Sequence, residues 1–277
     1  PRHGERCHEL CARAGPVRVL HLGDVVGRPG RQLLIDRLGD LRRDLDADVV
    51  IVNGENAAGG FGISPKLCRE LYDAGTDVIT TGNHVWDQRE LIGYVDGDPR
   101  LVRPANLAPG TPGRGFTAVE TAGGVRVLVV QVLGRIHMKP CDSPFRCVDD
   151  VLQRYPLNAR LLVVVDVHAE ITAEKQALGH YLDGRATLVA GTHTHCPTAD
   201  ARVLPGGTAY VTDLGMCGGY DSVIGMDKQG SIDRFTSDLP GPRLEPAPGP
   251  AELWGVVVES DPASGLARTI ERVRVTA

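Results

Sequence analysis

The feature that most restricts this chain's fold is a recurrence of short apolar runs that end in residues able to ligate metals. VRVLHLGD (residues 17–24), DVVIVNGEN (48–56), DVITTGNH (77–84), LLVVVDVH (161–168) and ATLVAGTHTH (186–195) share this form. Runs so short and so rich in Val and Ile predict buried strands rather than helices. Amphipathic segments lie between them: RQLLIDRLGDLRRDL after Pro29, SPKLCRELYDAG with Ser64 as N-cap and Pro65 in the first turn, WDQRELIGYV, PFRCVDDVLQRY and TAEKQALGHYL. Strands alternating with helices predict βαβ units and a largely parallel sheet.

A second set of apolar runs, VRVLVVQVLG, GTAYVTDLG, ELWGVVVES and TIERVRVT, is joined by Gly and Pro turns instead of helices and predicts a second, mixed sheet. The expected architecture is therefore α/β, a layered sandwich of two mixed sheets flanked by helices. Residues 17–277 are expected to form a single domain, preceded by a poorly ordered leader or extension over 1–16. Residues 237–252, SDLPGPRLEPAPGPAE, are read as an exposed loop.

Bulk properties exclude several classes. A net charge of -5 lacks the basic footprint of a protein that grips nucleic acid through its phosphates, so no stable nucleic-acid binding is expected. No apolar run approaches the roughly 18 residues that span a bilayer, and no signal peptide is evident, which gives a cytoplasmic expectation with no membrane partner. Seven cysteines without a repeated CxxC spacing argue against a disulfide framework. Cys7 and Cys11 with His3 and His8 offer two thiolates only, too few for a structural metal knuckle. Oligomeric state is not encoded legibly, and a homo-oligomer is compatible with everything above.

The polar strand ends carry the chemistry. In a parallel sheet the carboxyl ends of the strands share one edge, where ligand sites of open α/β folds gather. That rule would bring together Asp24, Glu55, Asn56, Asn83, His84, His168, His193 and His195. A lone Asp or Asn at a strand end is ordinarily a turn former or cap, and a lone His ordinarily structural; five coincident strand ends are not explained that way. His193 and His195, two apart, are expected on one side of an extended backbone. His21, in mid-strand, is expected to be a satisfied core histidine, and His180 a helix-surface residue.

GNH and GTHTH in this order resemble the motifs of the calcineurin-like metallophosphoesterases. GENAAGG, HAEITAEK and TDLGMCG resemble more closely their YmdB-like branch, over nearly the whole chain from Val17 onward. The wider superfamily opens on Asp, any residue, His, where this chain has Asp24, Val25, Val26; its bridging Asp appears here as Glu55, followed by Asn56. The resemblance implies the calcineurin-like fold and two metal ions. The first would be held by Asp24, Glu55, Asn56 and His195, the second by Glu55, Asn83, His168 and His193, with Glu55 as bridge. Mixed nitrogen and oxygen ligation suits iron or manganese, with zinc an alternative. The resemblance further implies hydrolysis of small phosphodiesters, such as 2',3'-cyclic nucleotides, by an activated hydroxide attacking phosphorus while His84 donates a proton to the leaving alkoxide.

Two rival readings use the same site: a phosphomonoesterase or nucleotidase, and a nucleotide-sensing regulatory protein with little turnover. Arg135, in GRIHMKP, and Ser222, in DSVIGM, are candidate substrate contacts. Asp166 and Glu170, beside His168, are expected to orient ligands rather than to ligate.

Overall fold

The computed structural model describes residues 15–277. The leader over 1–14, with Cys7, Cys11, His3 and His8, lies outside the described residues. The chain builds its two sheets in turn. The first sheet takes β1 (Arg18–Leu22), β2 (Asp24–Val25), β3 (Val49–Asn53), β4 (Val78–Thr80) and β5 (Leu101–Val102). The second sheet takes the next six strands: β6 (Phe116–Glu120), β7 (Arg126–Leu133), β8 (Leu161–His168), β9 (Leu188–Thr192), β10 (Arg202–Val203) and β11 (Ala209–Val211). The chain then returns to the first sheet with β12 (Met216–Gly219), β13 (Ala251–Ser260) and β14 (Ala267–Thr276).

Both sheets are mixed. β1, β3, β4 and β5 run parallel, with β13 antiparallel to β1, while β7, β8, β9 and β11 run parallel between antiparallel β6 and β10. The expected sandwich is observed, but the division of strands differs from the expected one. The five polar-ended runs do not share a sheet: β1, β3 and β4 lie in the first, β8 and β9 in the second, each completed by hairpin-type strands. Connection type did not separate the sheets because both kinds of connection occur in each.

Helices cover the outer faces. α1 (Gly27–Asp44) and α2 (Pro65–Asp73) pack Leu34, Leu38 and Leu71 on the first sheet, and α3 (Pro144–Arg154) and α4 (Thr172–Tyr181) pack Val148 and Leu178 on the second. Ser64 caps α2 as expected, its hydroxyl accepting the Leu67 N–H. α1 starts at Gly27, before Pro29, whose missing N–H falls among the first-turn donors that have no helical acceptor in any case. WDQRELIGYV is not a helix: it holds one short 3-10 turn, Arg89–Leu91, and ends where a second, Val95–Gly97, begins. α5 (Lys228–Thr236) was not expected, because it buries only Ser231 and so displays no apolar stripe.

Between the sheets the inward faces change character along the strands. In β8, Leu162 and Val164 join the intersheet core, and the next two residues of the same parity are Asp166 and His168. In β3, Val49 and Ile51 are followed by Asn53; in β1, Val19 by His21; in β7, Val127 and Val129 by Gln131. The layer between the sheets is thus valine-rich at one end, a buried polar network in the middle, and a ligand cluster at the other end.

Candidate metal centre

The carboxyl ends of β1, β3, β4, β8 and β9 meet at that third zone and bring all seven predicted ligands together. Asp24, Glu55, Asn56, His168 and His195 are buried, with Asn83 and His193 partly so. Gly82, immediately before Asn83, permits the approach: a Cβ there would lie 2.0 Å from the Glu55 Oε2 and 2.5 Å from the His168 Nε2.

At one corner the His168 Nε2 lies 3.0 Å from the Glu55 Oε1, 3.1 Å from the Asn83 Oδ1 and 3.1 Å from the His193 Nδ1. The proton positions on these rings follow from their other nitrogens. Asp166 accepts the Thr192 hydroxyl at 2.6 Å, which turns the Thr192 lone pairs toward the His168 Nδ1 at 2.9 Å, so Nδ1 carries the hydrogen and Nε2 is bare. The His193 Nε2 donates to Glu170 at 3.1 Å, leaving its Nδ1 bare as well. Four atoms with lone pairs and no proton therefore converge, and such a set repels itself unless a cation sits among them.

The second corner is built from Asp24, Asn56 and His195. The His195 Nδ1 donates to the Ile224 carbonyl at 2.8 Å, and the Asn56 amide nitrogen donates to the Gly60 carbonyl at 3.0 Å. The remaining atoms, the His195 Nε2 and the Asn56 Oδ1, face each other 3.2 Å apart, again acceptor to acceptor. Asp24 accepts the His193 backbone N–H through Oδ2, while its buried Oδ1 has no hydrogen-bond partner. Glu55, His168 and His193 lie close enough together to hold one cation, with Glu55 Oε1 at His168 and Oε2 accepting the His84 backbone N–H at 3.2 Å.

Electrostatics follow the same pattern. Burial, then the charges of Glu55, Asp213 and Asp166, pushes the Asp24 carboxyl well above its ordinary value. Burial also works to raise Glu55, yet the imidazoles of His168 and His193 beside it draw it well below its ordinary value. Burial keeps His168 and His195 neutral, the form in which imidazole ligates.

His193 and His195 are not on an extended backbone. β9 ends at Thr192, and His193 and His195 take left-handed φ values of 93° and 63°, so they turn toward different corners. This strained turn is clamped from behind by Asp213, which accepts both the backbone N–H and the hydroxyl of Thr194 and pairs with the buried Lys175 at 2.7 Å. Lys175 and Asp213 were not identified as functional from sequence; nothing but their place in HAEITAEK and TDLGMCG marks them. Asn53, Gln131 and Thr192, which complete the network behind His168, share its strand parity, and that signal was available.

His84 lies at the edge of the cluster with its Nδ1 held by Asp87 at 2.7 Å and its ring edge-on to Phe61. His21 is buried as expected but not satisfied: neither ring nitrogen has a hydrogen-bond partner, and burial lowers its pKa to about 3. Ser222 is engaged in its own loop, donating to the Gly219 carbonyl and accepting the Gly225 N–H. Arg135 is not brought to the ligands; it lines a cavity of about 770 Å³ with Asn106, Cys141 and Arg146.

A two-sheet α/β sandwich with nitrogen and oxygen ligands converging at its strand ends defines a metallophosphoesterase. The chain belongs to the YmdB-like protein family, whose model matches residues 20–273. It is 44% identical over 259 residues to the 2',3'-cyclic-nucleotide 2'-phosphodiesterase of Bacillus subtilis, covering 94% of this chain and 97% of that one. Among solved structures, a phosphatase from Mycoplasma pneumoniae superposes with a TM-score of 0.88 at 35% identity, covering 95% of this chain and 94% of that one. A hypothetical protein from Thermus thermophilus superposes with a TM-score of 0.87 at 43% identity, covering 94% and 99%. The protein is a phosphoric ester hydrolase. No helix among the described residues is long and apolar enough to cross a membrane.

Proposed function

We propose that the protein is a dinuclear phosphodiesterase acting on small phosphodiesters, 2',3'-cyclic nucleotides foremost. The observation that carries the reading is the set of three acceptor-only contacts, His168 with Asn83 and with His193 at one corner and His195 with Asn56 at the other. One ion is assigned to Glu55, Asn83, His168 and His193, the other to Asp24, Glu55, Asn56 and His195, with Glu55 shared. Iron or manganese suits this mixture of imidazole, amide and carboxylate ligands. When bound, the two cations supply a nucleophile at neutral pH and offset the charge of the phosphoryl oxygens.

The protein's own residues do the rest. Asp166 and Thr192 fix the tautomer of His168, Glu170 that of His193, and the Ile224 carbonyl that of His195. His84, oriented by Asp87, gives its Nε2 proton to the departing alkoxide, a step for which an imidazole suits neutral pH. The 44% identity to a 2',3'-cyclic-nucleotide 2'-phosphodiesterase supports this substrate class over monoesters and over a purely sensing role.

The test is a rate comparison on manganese- or iron-loaded protein with paired substrates, a nucleoside 2',3'-cyclic phosphate and the matching 3'-monophosphate. Faster turnover of the diester supports the proposal. Turnover of the monoester alone would shift it to a nucleotidase, and tight binding of either without hydrolysis would shift it to a sensor.

A further inference from the structure

A second cavity, of about 670 Å³, opens beside the Gly59 turn and has no part in holding the ligands. Three arginines line it, Arg28, Arg31 and Arg243, against a single carboxylate, Glu245. The three cations differ in how far they are already engaged. Arg31 donates to the Ala57 carbonyl at 2.6 Å and lies 4.0 Å from Glu70. Arg28 and Arg243 form no ion pair with any described residue, so their guanidinium groups retain their donors. The proximity of Arg28 is also felt by Arg31, whose pKa falls through burial and then through repulsion by Arg28, partly offset by Glu70.

The cavity is linked to His84 through Phe61. The Arg243 guanidinium sits 5.0 Å above the Phe61 ring, and Phe61 meets the His84 ring edge-on at 5.2 Å. Gln88, which also lines the cavity, donates to the Phe61 carbonyl at 2.7 Å. On the reading of His84 as proton donor, this is the leaving-group side of the site. Like-charged side chains gathered in a concave space, with fewer carboxylates than guanidinium groups, are the arrangement that recognises phosphoryl oxygens.

We propose that this cavity is a subsite for a second phosphoryl group of a nucleotide substrate, held by Arg28 and Arg243 while the scissile diester lies at the metal ligands. The proposal rests on the diesterase reading and sharpens it. The preferred substrate then carries a phosphoryl group on its 5'-oxygen, either as a 5'-phosphate on a nucleoside 2',3'-cyclic phosphate or as the internucleotide diester of a short oligoribonucleotide that ends in a cyclic phosphate.

The test compares kcat/KM for three substrates on metal-loaded, full-length protein: a nucleoside 2',3'-cyclic phosphate, its 5'-phosphorylated form, and a dinucleotide ending in the same cyclic phosphate. A charge-assisted contact predicts about a ten-fold preference for one or both phosphorylated forms. Which of the two is preferred distinguishes the sources of the group. In the Arg28→Ala, Arg243→Ala double variant that ratio falls to near one, and Arg243→Lys recovers part of it. Because the ratio is taken within one preparation, partial misfolding does not mimic the result. No preference in the wild type, or a preference untouched in the double variant, overturns the subsite.

Calorimetric titration with a nucleoside 3',5'-bisphosphate and a 3'-monophosphate separates the two proposals. Arginine-dependent tighter binding of the bisphosphate by a protein that hydrolyses no diester would defeat the diesterase reading and keep the subsite. Equal affinity for the two in wild type, with no preference for the dinucleotide in kcat/KM, would defeat the subsite, whatever the turnover.

Discussion

The two corners of the metal cluster are held in different ways. Around Glu55, Asn83, His168 and His193, both imidazoles are oriented by side chains: His168 by Thr192, itself fixed by Asp166, and His193 by Glu170. Around Asp24, Asn56 and His195 the orienting groups are loop carbonyls, Ile224 for His195 and Gly60 for Asn56, and one oxygen of Asp24 has no partner. The first corner is oriented in part by the buried strand residues Asp166 and Thr192, which set the His168 ring, although its facing lone pairs also call for a cation. The second depends on loops and on a cation to complete it, so we expect the first corner to fill at lower metal concentration.

The largest effect should come from the residue the corners share. Glu55→Ala is expected to lower metal content from two ions toward none and turnover at least a thousandfold, measured by elemental analysis beside a diester assay; an Ala variant that kept both ions would break the idea of a bridge. Next in size, His84→Ala should slow turnover by about a hundredfold or more with metal content intact, and Asp87→Asn by less, because only ring orientation is lost. Loss of metal in the His84 variant would return it to the ligand set.

Thr192→Val sharpens the comparison more finely. It keeps the shape but removes the acceptor of the His168 Nδ1 hydrogen, and should weaken the first corner's ion by about ten- to a hundredfold while leaving the second almost untouched, as read from a two-phase metal titration. Ser222→Ala loosens the loop that carries the Ile224 carbonyl and should weaken the second corner only a few-fold, since a single neutral hydrogen bond contributes about 1 kcal/mol.

Acidity gives a further test, on the metal-free protein. His21 has a folded pKa of about 3, below its unfolded value of about 6.5. Between those values the unfolded chain binds the extra proton, so stability is full above the unfolded value and is lost as pH falls toward 3, by roughly 1.4 kcal/mol per pH unit at most. Burial lowers His168 and His195 in the same direction. His21→Leu should flatten part of that acid limb in denaturant unfolding, and an unchanged slope would mean that His21 is not buried neutral.

How legible all this was in the sequence follows from the kind of interaction involved. The candidate ligands stood out because each ends an apolar run, a pattern with no packing explanation when repeated five times. Ser64 and Pro65 marked the α2 start for an equally local reason. The partition of strands between sheets was not legible, because β13 and β1 pair across more than two hundred residues and no local signal records it. The helix α5 and the paired turns at Arg89–Leu91 and Val95–Gly97 escaped because their burial is set by neighbours rather than by period. Lys175 is the sharpest case: within TAEKQALGHYL it resembles any solvent-facing lysine, yet it is buried against Asp213 and holds the turn that aims two histidines.

The central claim is that seven side chains from two sheets hold two cations bridged by Glu55. Anomalous diffraction from crystals of metal-loaded protein, collected on either side of the iron or manganese edge, tests it directly. The account predicts two peaks about 3.5–4 Å apart, one against the His168 Nε2 and the His193 Nδ1, the other against the His195 Nε2 and the Asp24 Oδ1. A single peak at saturating metal, or two peaks without Glu55 between them, would contradict it.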